Sequence, residues 1–211
     1  GHLGGAQASS KAVITLQEFL SSDRLGNRPV DLVDLSVAID AAANAVASLA
    51  PADNPMSAPG TTLSGLMVLR TAEGPYWLSF NVGDSRAYQL RDGNLEQVTR
   101  DHTFVEYLVE TGRLTREEAS HHPQRSVLLR VLGDAQGDVM LDESIREAKV
   151  GDRWLLCSDG LSGLVSKETI ESILNKVEDP GEAAEELIAL ARKAGGPDNI
   201  TAVIFDIVDS T

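Results

Sequence analysis

The apolar residues of this chain change period near residue 61, and that change limits the possible folds more than any other feature. Upstream, Ala8, Val13, Leu16 and Leu20 recur at helical spacing over residues 6–20. Leu32, Leu35, Ile39, Ala42, Val46 and Leu49 do the same over residues 31–50. Asp31 suits the N-cap of this second helix. Pro51 stops it at Ala50, because proline disfavours helical geometry in the residue before it. A loop bearing three prolines then spans 51–59. From residue 61 the spacing becomes that of strands, predicted over 63–69, 76–82, 86–90 and 95–98. These form an antiparallel meander with turns at 72–75, Gly83-Asp84 and Asp92-Gly93, the last a strong hairpin signal. Residues 103–119 turn helical, with Thr103 and Thr115 as caps. Strands are predicted again at 138–141 and 153–157, helices at 167–174 and 181–194, and a closing strand at 200–207. Helices and strands segregated in this way predict an α+β sandwich of antiparallel sheets with helices outside.

A length of 211 residues suits one domain with a sizeable core. The net charge of -14 argues against nucleic acid or an anionic membrane as the main partner, since both require a basic face. Cys157 is the single cysteine, which rules out an intrachain disulfide and favours a reducing compartment. Its position between Leu156 and Ser158 suggests a small buried hydrophobe rather than a reactive thiol. With no long apolar run and no signal-peptide pattern, the expected setting is soluble and cytoplasmic. A P-loop signature is missing as well, so nucleotide hydrolysis of that kind is unsupported.

The chemistry concentrates where apolar strands end in aspartate. Arg153-Trp154-Leu155-Leu156-Cys157 runs into Ser158-Asp159-Gly160, and Gly196-Pro197-Asp198-Asn199 leads into the run from Ile200 to Phe205. A carboxylate in such a place is expected to be partly desolvated, and a desolvated charge must be paired or hold a cation. Asp198 has no Lys or Arg within two positions, and Asp159 is flanked by small or apolar residues. Two such sites suggest a hard divalent metal with oxygen ligands. The bland alternatives are turn formation by Asp159-Gly160 and amide capping by Asp198-Asn199. Val82-Gly83-Asp84-Ser85-Arg86 places a third aspartate after a strand, where an ion pair with Arg86 is the alternative to a metal role.

Gly60-Thr61-Thr62, Val82-Gly83-Asp84-Ser85-Arg86, Asp101-His102-Thr103, His122-Pro123, Ser158-Asp159-Gly160 and Asp198-Asn199 occur in an order that resembles bacterial metal-dependent serine/threonine protein phosphatases of the 2C type. The resemblance runs from Gly1 to about Val208. It implies two central antiparallel sheets flanked by helix pairs. It also implies Asp159 and Asp198 as ligands of a pair of Mg or Mn ions, and Asp84 as a ligand of a third, weaker site. The implied reaction is hydrolysis of phosphoserine and phosphothreonine in proteins by a metal-activated water, without a covalent phosphoenzyme. The implied partners are phosphoproteins made by a serine/threonine kinase. Gly1-His2-Leu3-Gly4-Gly5 resembles the family segment whose histidine protonates the leaving group, which makes His2 the catalytic candidate; a Gly-His start also matches the remnant of a cleaved purification tag. His102 and His122 are expected to be structural or phosphate-facing. Family members carry upstream strands with a phosphate-gripping Arg, an acidic metal ligand and an Asp-Gly. By that measure residues 1–211 form one N-terminally incomplete phosphatase-like domain, with a flap-like insertion at about 103–130. The competing function is a catalytically incomplete module of the same fold that binds phosphoproteins or partners.

Overall fold

The computed structural model describes residues 4–26, 28–54, 57–133, 139–196 and 198–209. Its helices are α1 (Gly5–Phe19), α2 (Ser22–Leu25), α3 (Leu32–Ala47), α4 (Phe104–Glu110), α5 (Arg116–His121), α6 (Asp159–Ser162), α7 (Lys167–Lys176) and α8 (Pro180–Lys193). The strands are β1 (Leu63–Thr71), β2 (Gly74–Val82), β3 (Arg86–Arg91), β4 (Asn94–Gln97), β5 (Asp142–Glu147), β6 (Arg153–Cys157) and β7 (Ala202–Asp206). Two compact units result, one of Gly1–Leu63 with His102–Leu141, the other of Ser64–Asp101 with Asp142–Thr211.

In the first unit α1 packs on α3, burying Ala8, Ala12 and Thr15 from one helix and Leu35, Ala38, Ile39, Ala42 and Val46 from the other. Small residues along α1 let the two backbones approach. Asp31 caps α3 as its position predicts: its carboxylate accepts from the Asp34 N–H, and Asp34 reciprocates on the Asp31 N–H. The helix ends at Ala47, three residues before the expected Ala50. Ser48 already bonds back to Ala45 through its hydroxyl, and the chain leaves in turns before Pro51 imposes its limit.

The helical excursion after residue 102 also belongs to this unit. Thr103 and Thr115 cap α4 and α5, the latter in a capping box with Glu118. Gly112, at φ +70°, breaks the path between them, a left-handed conformation that glycine adopts without cost. The neck closes where the Phe104 N–H donates to the Val127 carbonyl (2.8 Å) and the Leu129 N–H to the His102 carbonyl (2.8 Å).

The second unit holds both sheets, ordered β1-β2-β5 and β4-β3-β6-β7. The expected single meander is therefore corrected. Asp92 and Gly93, both at positive φ, do make the tight hairpin between β3 and β4. The Gly83–Ser85 turn, however, carries the chain from one sheet to the other instead of closing a hairpin. The strand expected at 138–141 lies instead at Asp142–Glu147, paired antiparallel with β2; Asp138 itself falls outside the described residues. That segment alternates half-buried with exposed residues, and Ile145 is 57% exposed, so its only strand signal is an edge pattern hidden among charges.

Period-two alternation sorts the core of this unit into two layers. Tyr88, Leu90, Leu155 and Cys157 meet Leu161, Ile170, Leu174 and Leu187 from α6, α7 and α8. Ala87 and Trp154 join Trp77 in a second cluster, with Leu66, Leu156 and Phe205 around it. Trp77 packs edge-on to Trp154 with ring centroids 5.9 Å apart. Both strand ends that carry the candidate aspartates, the exit of β6 and the entrance to β7, are thus anchored by buried neighbours.

Candidate metal centre

β6 and β7 pair antiparallel, with Cys157 opposite Ala202, so the exit of one strand and the entrance to the other fall side by side. Asp159 follows the first and Asp198 precedes the second. Main-chain and hydroxyl bonds join the two ends: the Ser158 N–H donates to the Thr201 carbonyl (3.2 Å), and the Thr201 N–H donates to Ser158 Oγ (3.0 Å). A Cβ on Gly160 would fall 2.2 Å from the Asn199 carbonyl oxygen, so only glycine permits this approach. Asp159 does not form the simple turn that an Asp-Gly pair suggests. It opens the single-turn helix α6, with Ser158 in the N-cap position.

Electrostatics couples the three sequence-predicted aspartates. The Asp159 carboxyl is raised above its ordinary pKa, first by partial burial and then by the negative charge of Asp198. Asp84 is pushed up to about 6, first by burial and then by Asp159 and Asp101. Asp159 and Asp198 are both exposed, against the expectation of desolvated carboxylates, although the surroundings of Asp159 still hold its pKa up. Asp198 Oδ1 accepts from the Asn199 N–H at 2.8 Å, which fixes its direction at the mouth of β7. Among the described residues no three His, Cys, Asp or Glu side chains gather as a ready-made ion site. The donors at hand are nonetheless all carboxylate oxygens, mutually repelling, and that is what a hard divalent cation stabilises. The donor set fits Mg or Mn.

The alternative partner for Asp84 is otherwise engaged. Arg86 grips Asp101 through Nε (2.9 Å) and Nη2 (2.6 Å), and its Nη1 donates to the Tyr88 hydroxyl (3.1 Å). Gln97 adds a bond to Asp101 at 3.2 Å. The turn that presents Asp84 is braced from below. Asn81, fully buried, donates through Nδ2 to the Gly83 carbonyl (3.2 Å) and the Arg100 carbonyl (3.1 Å). Ser64 Oγ shares its one proton between Asn81 Oδ1 and the Ser85 carbonyl. Sequence reasoning missed both Asn81 and Ser64; the visible signal was an amide at an inward-facing strand position, which needs buried partners. Asn81→Ala is expected to cost about 2 kcal/mol of stability, because it removes the donor to the Gly83 and Arg100 carbonyls and one of the two acceptors of the Ser64 hydroxyl. Urea denaturation of the variant beside the wild type measures it.

His2 falls outside the described residues, as does Pro197 of the second aspartate run. His102 is buried, with Arg130 Nη1 3.4 Å from its Nε2, and His122 accepts from the Gln124 N–H through Nδ1 (3.1 Å). Both serve the first unit's own structure. Cys157 is buried, and burial pushes its thiol up to about 12, so it is the inert hydrophobe its neighbours suggested.

The profile of the family described as Protein phosphatase 2C matches residues 1–193. The chain belongs to the protein phosphatase 2C family. It is 42% identical over 209 residues to the serine/threonine protein phosphatase PstP of Mycobacterium tuberculosis, an alignment that takes in 99% of this chain and 39% of PstP. The serine/threonine phosphatase stp of Listeria monocytogenes is 40% identical over 126 residues, which is 60% of this chain and 50% of that protein. The chain thus spans about two-fifths of the length of PstP and half that of stp. The crystal structure of M. tuberculosis PstP superposes with a TM-score of 0.84 at 40% identity, covering 99% of this chain and 85% of that one. The PstP catalytic domain in complex with two manganese ions gives 0.82 at 39% identity, covering 99% and 84%. The chain's own two antiparallel sheets with their helices, superposed at these scores on protein phosphatase 2C structures, bear out the predicted α+β class.

Proposed function

We propose that the protein hydrolyses phosphoserine and phosphothreonine esters in proteins, in dependence on Mn or Mg. The observation that carries this reading is the coupling of Asp159 with Asp198 across two strand ends that are bonded together, in a member of this phosphatase family. Asp159 and Asp198 would hold a pair of ions, and Asp84, on its braced turn, would contribute to a third. When bound, such ions supply Lewis acidity that lowers the pKa of a water and neutralises charge on the phosphoryl oxygens. Asn199 orients the Asp198 carboxylate, and Arg86 stays bound to Asp101, which leaves Asp84 to face the cation. His2 is the proposed proton donor to the leaving seryl or threonyl oxygen. The test is hydrolysis of a phosphothreonine peptide by the full-length protein. Activity with Mn or Mg and none with chelator supports the reading, and a folded protein inactive with both metals overturns it.

Phosphoproteins made by a serine/threonine kinase are the proposed substrates, in cytoplasmic signalling. No helix among the described residues is long and apolar enough to cross a membrane. The excursion at 103–130, one element of the proposed phosphatase-like domain spanning 1–211, selects among these substrates. It closes on itself at its neck and presents charged residues on α4 and α5. Arg116 is tied to Glu106 by two bonds of 2.9 and 3.0 Å, which makes it a part of the excursion's own frame. Arg125 is exposed and is the cleaner probe. Arg125→Ala is expected to lower kcat/KM severalfold on a phosphoprotein and to leave a small aryl phosphate unchanged, since the small ester engages few remote contacts. Paired kinetics on the two substrates decide it, and equal losses would place Arg125 in the catalytic machinery.

A further inference from the structure

We propose that Ser158 is a positioning residue whose hydroxyl latches the exit of β6 to the entrance of β7, and so sets the separation of the Asp159 and Asp198 carboxylates. This rests on the reading that those two residues hold the metal.

A serine in the N-cap position ordinarily turns its oxygen onto the free amides of its own helix. Ser158 stands at the N-cap of α6 and makes no such bond. Its Oγ is used at long range instead: it accepts from the Thr201 N–H at 3.0 Å and donates to the Asn199 carbonyl at 3.3 Å. Asn199 is held at both ends of its backbone. Its N–H binds the Asp198 carboxylate at 2.8 Å, and its carbonyl receives the Ser158 proton. One hydroxyl therefore connects the residue next to Asp159 with the residue that aims Asp198. Gly160 reinforces the arrangement from the other side, because its missing Cβ is what lets the Asn199 carbonyl sit so close.

The latch answers a physical need. Two carboxylates that must converge on a cation repel each other until it arrives, and strand ends free to separate would do so. An ordered pair of ligands binds metal more tightly than a pair that must first be brought together, since that ordering then draws on the binding free energy. Groups that orient metal ligands without touching the ion typically change affinity by about 10- to 100-fold when removed.

Mn titration calorimetry and thermal melts with and without Mn, on the full-length protein, test the latch. Ser158→Ala is expected to weaken Mn binding about tenfold or more and to shrink the Mn-induced rise in Tm. Ser158→Thr, which keeps the hydroxyl, is expected to restore both. Gly160→Ala, which keeps Ser158 but displaces the Asn199 carbonyl, should weaken Mn binding in the same way and stands in if Ser158→Ala fails to fold. A merely structural hydroxyl would lower Tm equally with and without metal, and a wild-type Mn increment in Ser158→Ala overturns the proposal. Asp159→Asn is the control: its loss of Mn binding beside an unaffected Ser158→Ala condemns the latch alone. Wild-type affinity in Asp159→Asn instead removes the ligand reading beneath it.

Discussion

Asp159→Asn is expected to reduce Mn-dependent phosphatase turnover by at least about a hundredfold, with Asp198→Asn doing the same. A metal ion contributes several kcal/mol to a transition state that gathers negative charge on phosphoryl oxygens, and about every 1.4 kcal/mol counts tenfold in rate. The stability of the metal-free protein should move the other way. The folded protein raises the pKa of Asp159, by partial burial and by the Asp198 charge, so it disfavours the ionised form relative to the unfolded chain. Above that raised pKa the ionised carboxylate opposes folding, and the neutral amide of Asn removes the opposition. Metal-free Asp159→Asn should therefore melt no lower than the metal-free wild type at neutral pH, while losing the stabilisation that Mn confers on the wild type. Turnover assays beside paired melts measure both halves. An active variant would mean that Asp159 is only the opening residue of α6, and a strongly destabilised one would mean that its carboxylate serves the fold.

What the sequence could show was mostly local. Asp31, Thr103 and Thr115 announced helix starts because a cap is made within three residues of itself. Asp92-Gly93 announced a hairpin because two successive positive φ angles select that pair. Asp159 and Asp198 stand out because one follows and the other precedes an apolar strand, places that packing alone seldom gives to a carboxylate. Pairing at a distance stayed hidden. The Gly83–Ser85 turn has the same local chemistry whether β3 folds back beside β2 or crosses to the other sheet, and the crossing is decided by what β3 meets, namely β6. β5 escapes local reading because Asp142–Glu147 borrows its order from the register with β2. Ser158 meets Asn199 across 41 positions and Arg86 meets Asp101 across 15, and neither pairing leaves a mark on its own segment.

Arg153 supplies the clearest case of such hidden order, and its removal is expected to cost the fold about 3–5 kcal/mol. It sits opposite Asp206 in the register of β6 and β7, 8% exposed, on the face turned toward the helices. All five of its N–H donors are used. Nε and Nη2 grip Asp206 at 2.6 and 2.7 Å, Nη1 donates to the Leu174 carbonyl at 2.8 Å and also to Val177, and Nη2 donates to Glu178. Three of these contacts satisfy carbonyls at and beyond the end of α7, whose last residue is Lys176, where a cation also opposes the helix dipole. Asp206 in turn holds the guanidinium charged, raising its pKa above the ordinary value. Arg153→Met keeps the apolar stem and deletes every donor, so it leaves one partly buried carboxylate and three carbonyls without their partner. Arg153→Lys keeps the charge but not the fork, and should recover only part of the loss. Chemical denaturation reads the cost, and a loss under about 1 kcal/mol would show that water replaces the guanidinium. The same variants separate stability from metal binding. Arg153 lies four residues before Cys157, at the far end of β6 from Asp159, roughly 13 Å along the strand. Arg153→Met should therefore lower the metal-free and Mn-bound melting temperatures together and leave the increment between them intact, whereas loss of the Ser158 hydroxyl at the near end should shrink that increment.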